Sequence, residues 1–229
     1  MTRDPWYLKE TGFSRRVSPD DMEVFMRVCP EHRYTAGDTI FYDGDPAVQL
    51  HVIVRGQVKL SAPTATGQER ILAVLGPDDF LGETFVQEAE LYRGDAIALT
   101  DVTTCPMSRA QFLQMTKSAP DFAVTFAGIL ASSLFQCRDQ LSRSYDPVRL
   151  RVAKVLLDLA QRFGSPDGSR GWWRLDTRLR HEELASMVSA TRVATTMAIS
   201  ELRSHGAVQG TRGSYRLNLT QLSELAERV

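Results

Sequence analysis

Metal and redox chemistry need cysteines and histidines at set spacings, and the three cysteines and four histidines of this chain do not supply them. Cys29, Cys105 and Cys137 stand far apart, with no Cys-x-x-Cys pair and too few thiols for a four-cysteine iron–sulfur site. An odd, scattered set predicts small buried apolar side chains rather than a disulfide framework. The first half carries only His32 and His51, with no His-x-His pair, so a cupin-type metal enzyme lacks its ligands. His51 reads as a strand residue. His181-Glu182-Glu183 is not the zinc motif His-Glu-x-x-His, because no second histidine follows at the required spacing. No nucleophile–base arrangement or phosphate loop follows Pro147, and about 80 residues leave little room for a catalytic domain. Both catalytic and metal residues are therefore expected to be absent.

The remaining chemistry is recognition of nucleic acid. His181 to Arg192 has the helix-turn-helix pattern, with apolar Leu184, Ala185 and Val188 ahead of a tight turn. Thr191 is a good N-cap for the next helix. At helical spacing Thr195, Ala198, Ile199 and Leu202 share one face, predicted buried. Arg192, Val193, Thr196, Met197 and Ser200 share the other, the face that enters a major groove. Arg192 can fork onto guanine, and Val193 can touch a thymine methyl group. Arg180, just before the motif, and His181, at its start, are further candidates. Gly206 ends the recognition helix, and Val208 to Leu217 reads as a hairpin wing with Arg212-Gly213 at its tip, where Arg212 would touch phosphate.

Charge supports that reading. From Pro147 onward there are 13 basic and 8 acidic side chains, a net of +5, leaving 14 basic and 20 acidic residues, a net of −6, in the remainder. An acidic body with a basic tail suits a partner that is itself a polyanion. No apolar run approaches the ~20 residues of a membrane span, and Met1–Glu10 does not resemble a signal peptide, so no membrane partner is expected and cytoplasm is the default.

These heads must be carried by other elements. Between Tyr34 and Met107 the chain shows short β-rich runs separated by glycine, which suggests a sandwich or barrel. Leu50–Val54 and Val58–Leu60 are two such runs, with Arg55-Gly56-Gln57 read as a tight hairpin between them. Ala65-Thr66-Gly67-Gln68 is a second turn, leading to Ile71–Leu75, and Gly76-Pro77-Asp78-Asp79 is a third. Tyr34–Ile40 with Gly37, then Gly44-Asp45, Val52-Ile53, Gly56 and Val58 resembles the cyclic-nucleotide-binding β-roll of the CRP/FNR regulators. Phe80-Leu81-Gly82-Glu83 resembles the opening of that family's phosphate-binding cassette. The resemblance runs from about Val17 to Leu219.

The resemblance implies an effector pocket. In the family the cassette amides meet a cyclic phosphate, the glutamate takes the ribose hydroxyl, and a later Arg-Ser or Arg-Thr pair completes the phosphate site. Helix-end amides and an arginine suit an anion. Gly82 and Glu83 fit. Counting forward from Glu83 puts Arg93 at the arginine position. Counting back from the strand Ala98–Val102 puts Tyr92 there instead, and strand alternation makes that one-residue slip decisive. Either way Arg93-Gly94-Asp95 replaces the usual sequence, and Asp95 would repel a phosphate if it pointed inward. The base-contacting pair is replaced by Gln136 and Cys137. Cyclic AMP is one expected effector; no covalent cofactor is implied. Thr191-Arg192-Val193 resembles the cyanobacterial nitrogen-control branch, which makes 2-oxoglutarate a second expectation, and action without effector a third.

Pro120 opens a long helical stretch running to about Tyr145, before Pro147. Ala123, Ala127, Leu130, Leu134, Cys137, Leu141 and Ser144 form a heptad seam, and Phe122, Phe126 and Ile129 form a second apolar row able to pack on the β-roll. With the resemblance, this implies a homodimer. Val148–Phe163 is an amphipathic helix ended by Gly164-Ser165-Pro166-Asp167-Gly168, and Trp172–Leu175 is a short strand. The expected class is α+β: a jelly-roll-like N-terminal β-roll over residues 1–118, a dimerisation helix over 119–146, and a winged helix-turn-helix over 147–229. The expected function is an allosteric, homodimeric transcription regulator on a near-palindromic double-stranded operator, with RNA polymerase as a further partner. The rival is a cyclic-nucleotide-binding signalling module or enzyme.

Overall fold

The computed structural model describes residues 18–87, 90–168, 171–177, 179–211 and 214–227. Two compact units result, Met1–Gly67 with Leu72–Arg138, and Gln68–Ile71 with Asp139–Val229.

Among the described residues the first unit begins with helix α1 (Pro19–Val28). Eight strands follow among the described residues: β1 (His32–Tyr34), β2 (Thr39–Phe41), β3 (Gln49–Arg55), β4 (Val58–Pro63), β5 (Glu69–Leu75, of which 69–71 fall in the second unit), β6 (Phe80–Leu81), β7 (Asp95–Ala98) and β8 (Val102–Ser108). They form two four-stranded sheets, ordered β1-β8-β3-β6 and β2-β7-β4-β5. β3 is buried on both faces. Leu50 and Val52 join a cluster with the helices, whereas Ile53 joins Phe41, Val58, Leu81, Tyr92, Ala96, Ala98 and Val102.

The expected hairpin at Arg55-Gly56-Gln57 is corrected. β3 and β4 lie in different sheets, so the turn carries the chain from one sheet to the other. Gly56 has φ +88°, and the main chain of Asp101 and Val102 lies where its Cβ would be, so no larger residue fits. The turn at Ala65–Gln68 does join adjacent strands, β4 and β5.

Two helices close this unit. α2 (Arg109–Ser118) starts at a capping box in which Ser108 and Gln111 satisfy each other's backbone N–H groups. α3 (Pro120–Ser142) is followed by a 3-10 turn, Arg143–Tyr145. Phe122, Phe126 and Ile129 are buried, as the second apolar row requires. Phe126 meets Phe80 and Phe112 edge to face, at 5.2 and 5.0 Å between ring centroids. The later part of the seam row stays open, with Leu134 52% and Leu141 68% exposed, while Leu130 packs partly against the core.

The cysteine expectation is also corrected. Cys29 and Cys105 form a disulfide with Cα atoms 5.4 Å apart, tying the end of α1 to β8. They are 76 residues apart in sequence, a pairing that spacing could not show. Cys105 is buried as expected, but Cys137 is free and exposed on α3 rather than buried.

The second unit has α4 (Val148–Phe163), β9 (Gly164–Pro166), β10 (Trp172–Leu175), α5 (His181–Met187), α6 (Arg192–Ser204), β11 (Val208–Thr211), β12 (Ser214–Asn218) and α7 (Leu219–Glu227). The sheet order is β11-β12-β10-β9. β9 lies in a segment expected only to end α4; Pro166 is tolerated there because β9 is an edge strand. Arg212 and Gly213, the expected wing tip, fall outside the described residues.

Candidate DNA-binding and effector sites

The DNA-facing candidates are built on α5 and α6. Thr191 caps α6, its Oγ1 accepting the Ala194 N–H at 3.1 Å. Thr195, Ala198, Ile199 and Leu202 are buried, and full burial of Ile199 and Leu202 is worth about 1.5–3 kcal/mol each. That burial leaves Arg192, Val193, Thr196, Met197 and Ser200 exposed together. Val193 (69%) and Met197 (68%) are large apolar side chains in water, a pattern that marks a contact surface. The helix ends with Ala207 N–H reaching back to Leu202 O at 3.0 Å, just past Gly206.

α5 fixes the neighbouring candidates. Arg180 is exposed at its N-cap, and the Arg180 N–H donates to Glu183 Oε2 at 2.8 Å. His181 Nδ1 lies 3.0 Å from Thr196 Oγ1, and its ring stacks on Tyr215 with centroids 6.5 Å apart. Burial, then the Arg203 and Arg192 charges, hold the His181 imidazole below its usual pKa. Arg192 Nη1 sits 3.3 Å from Glu182 Oε1, both side chains exposed. An exposed pair of this kind is weak, so the guanidinium can exchange partners at little cost.

Sequence reasoning missed Arg151. It lies on α4, and its Nη1 donates to Val188 O and, at 3.3 Å, to Ser189 O. Those carbonyls belong to the turn between α5 and α6, where Ser189 holds φ +50°, the left-handed region disfavoured for a side-chain-bearing residue. Arg151 thus clamps the turn that sets the angle of α6. Its amphipathic helix was visible in sequence, but nothing there pointed to a partner 37 residues away.

The effector candidates start at Gly82, which has φ +77° and opens a 3-10 turn over Glu83–Val86. Glu83 is exposed at that start, where a carboxylate favours the helix dipole. The structure brings Tyr92 onto Gly82: a Cβ on the glycine would lie 2.6 Å from Tyr92 Cε1. Tyr92 stacks on Phe41 at 3.9 Å and is only 4% exposed. Its hydroxyl donates to Gln49 O at 2.9 Å and accepts the Gln49 N–H at 3.2 Å. Burial raises its phenol above the usual pKa, more than the hydrogen bond to Gln49 lowers it. Arg93 turns outward and lies 3.5 Å from Glu90. The Gly94 N–H donates to Asp43 Oδ1 at 2.7 Å, and Asp95 Oδ1 accepts the Asp43 N–H at 2.8 Å. Gln136 is half-buried and Cys137 exposed, both in the later half of α3. Of the effector candidates, Tyr92 and Gly82 meet, while Arg93 turns away from them.

Comparison with known proteins follows the same division. Residues 31–119 match the cyclic nucleotide-binding domain and residues 150–228 match the Crp-like helix-turn-helix domain. The chain is 28% identical over 203 residues to the CRP-like cAMP-activated global transcriptional regulator of Mycobacterium tuberculosis, spanning 88% of this chain and 90% of that protein. It is 28% identical over 172 residues to the global nitrogen regulator of a Synechocystis species, spanning 72% and 74%. A crystal structure of a CRP/FNR-family transcriptional regulator from Thermus thermophilus superposes with a TM-score of 0.71 at 27% identity, over 87% of this chain and 99% of that one. Two matching domains in the same order, on a helix-turn-helix with an open recognition face, place the chain in the CRP/FNR family of DNA-binding transcription regulators with an effector domain, which are not enzymes.

Proposed function

We propose that the chain acts as a homodimer that reads a near-palindromic double-stranded operator, one α6 in each half-site. The observation that carries this is the single exposed face of α6, where Arg192, Val193, Thr196, Met197 and Ser200 stand opposite four buried residues. Two such helices in one dimer require half-sites about one helical turn, roughly 34 Å, apart. The open row on α3, including Leu134 and Leu141, supplies the surface that joins two copies. In this reading residues 1–118 sense the effector, 119–146 join the copies and 147–229 hold DNA, in the cytoplasm and beside RNA polymerase. The outward turn of Arg93 favours an effector other than cyclic AMP, such as 2-oxoglutarate, or none. Selection of duplexes from a random pool, followed by fluorescence anisotropy across a salt series, tests the function. Enrichment of a two-fold-related site and an affinity that falls steeply with salt are expected. Failure to enrich any sequence contradicts the reading.

A further inference from the structure

An anion seat needs amide groups open to the ligand and a cation to face it. The turn after Gly82 has the backbone form of such a seat, but the space above it is taken. The Tyr92 ring lies against the glycine, with Cε1 at 2.6 Å and Cδ1 at 3.2 Å from where a Cβ would stand. Nothing about the ring is loosely held. It stacks on Phe41 with an interplanar angle of 11°, and its hydroxyl exchanges two hydrogen bonds with the Gln49 main chain. Its own backbone is tied on both sides: the Tyr92 N–H donates to Asp45 O at 2.8 Å, and the Gly44 N–H donates to Tyr92 O at 3.0 Å.

The residues that follow do not restore an anion site. The Arg93 side chain is 71% exposed and paired with Glu90. The Gly94 N–H is committed to Asp43, and Asp95 brings a further carboxylate to the same loop. A phosphate arriving at Gly82 would have to displace a buried aromatic ring.

We infer that Tyr92 is the built-in occupant of this seat: its ring closes the cassette over Gly82, so the protein binds DNA without a cyclic nucleotide held there by its phosphate. The ring does mechanically what a ligand would do, linking the turn after Gly82 to β3 through Gln49 and to β2 through Phe41. The inference rests on the reading of the roll as the effector domain of a DNA-binding regulator.

The test uses the full chain and a duplex that the wild type selects from a random pool. Anisotropy measures its affinity with and without millimolar cyclic AMP or cyclic GMP, and calorimetry titrates each nucleotide into protein alone. No binding heat and a DNA affinity unchanged within about twofold are expected; saturable nucleotide binding, or DNA binding tightened about tenfold, overturns the inference. Tyr92→Phe keeps the ring and loses both Gln49 bonds. It is expected to ignore both nucleotides, and a gain of binding by this variant would overturn the assignment to the ring. Tyr92→Arg removes the ring and supplies the cation that Arg93 does not, and is expected to bind a nucleotide measurably; a folded Tyr92→Arg protein that binds neither shows that the ring is not the closure. If Tyr92→Arg does not fold, the wild-type and Tyr92→Phe titrations decide alone. A wild type that selects no duplex refutes the DNA-binding reading instead, and calorimetry still decides the role of Tyr92.

Discussion

His51 makes the stability of the β-roll depend on pH. It sits on β3 at 4% exposure, with Nδ1 3.3 Å from Thr104 Oγ1. Burial, helped by the charge of His32, pushes its pKa from 6.5 down to about 4. A base with a depressed folded pKa contributes fully where it is neutral in both states, above its unfolded pKa. As pH falls from 6.5 towards 4, the unfolded imidazole takes a proton that the folded one refuses, and stability is lost. The full shift corresponds to about 3 kcal/mol, and roughly 2.5 kcal/mol of it is lost between about pH 7.5 and about pH 4.5. Denaturant unfolding of wild type and His51→Gln at both pH values isolates the effect, because the other titrating groups are common to both proteins. Wild type is expected to lose roughly 2.5 kcal/mol more than the variant over that interval. Parallel losses in the two proteins would refute the reasoning.

Three further outcomes follow from other parts of the molecule. The Cys29–Cys105 bridge joins residues 76 apart, and chain entropy gives it about 4 kcal/mol. Thiol reductant should therefore lower the wild-type melting temperature and leave Cys29→Ala, already at the lower value, unmoved; a wild type indifferent to reductant removes the bridge from the account. Arg151→Met keeps the aliphatic stem but frees the Val188 and Ser189 carbonyls, and should cost about 1–3 kcal/mol in urea unfolding. It should weaken binding to all duplexes alike, and an effect confined to one base would contradict its role as a clamp on the turn. Leu134→Glu puts a charge on the open row of α3 and should give monomers by sedimentation with much weaker DNA binding, while a wild type that sediments as a monomer contradicts the dimer.

The recognition helix was legible because its buried residues keep a helical period and Thr191 announces its start. The strands were legible from alternating β-branched runs, but their partners were not. A glycine turn such as Arg55-Gly56-Gln57 has the same residue signature whether its strands pair or part to different sheets. Tyr92 and Arg93 show the same limit: one residue of slip exchanges inside for outside, and the register is held by long-range bonds, those of β7 to β4 and β2 and those of the Tyr92 main chain to Asp45 and Gly44. The Cys29–Cys105 bridge and the Arg151 clamp are contacts between distant segments, invisible to any local pattern. α2 is different, since its Ser108-x-x-Gln111 capping box is a local signal carried by the sequence itself.

The most direct test of the account is a selection from random DNA carried out in parallel with wild type and Arg192→Ala. Arg192 stands at the exposed start of α6, where its fork can meet guanine O6 and N7. Wild type should enrich a near-palindrome with a guanine in each half-site, and the variant should lose about 1–3 kcal/mol of discrimination at that base alone. An enriched half-site without guanine, or base preferences unchanged by Arg192→Ala, would contradict the placement of α6 as the reading helix.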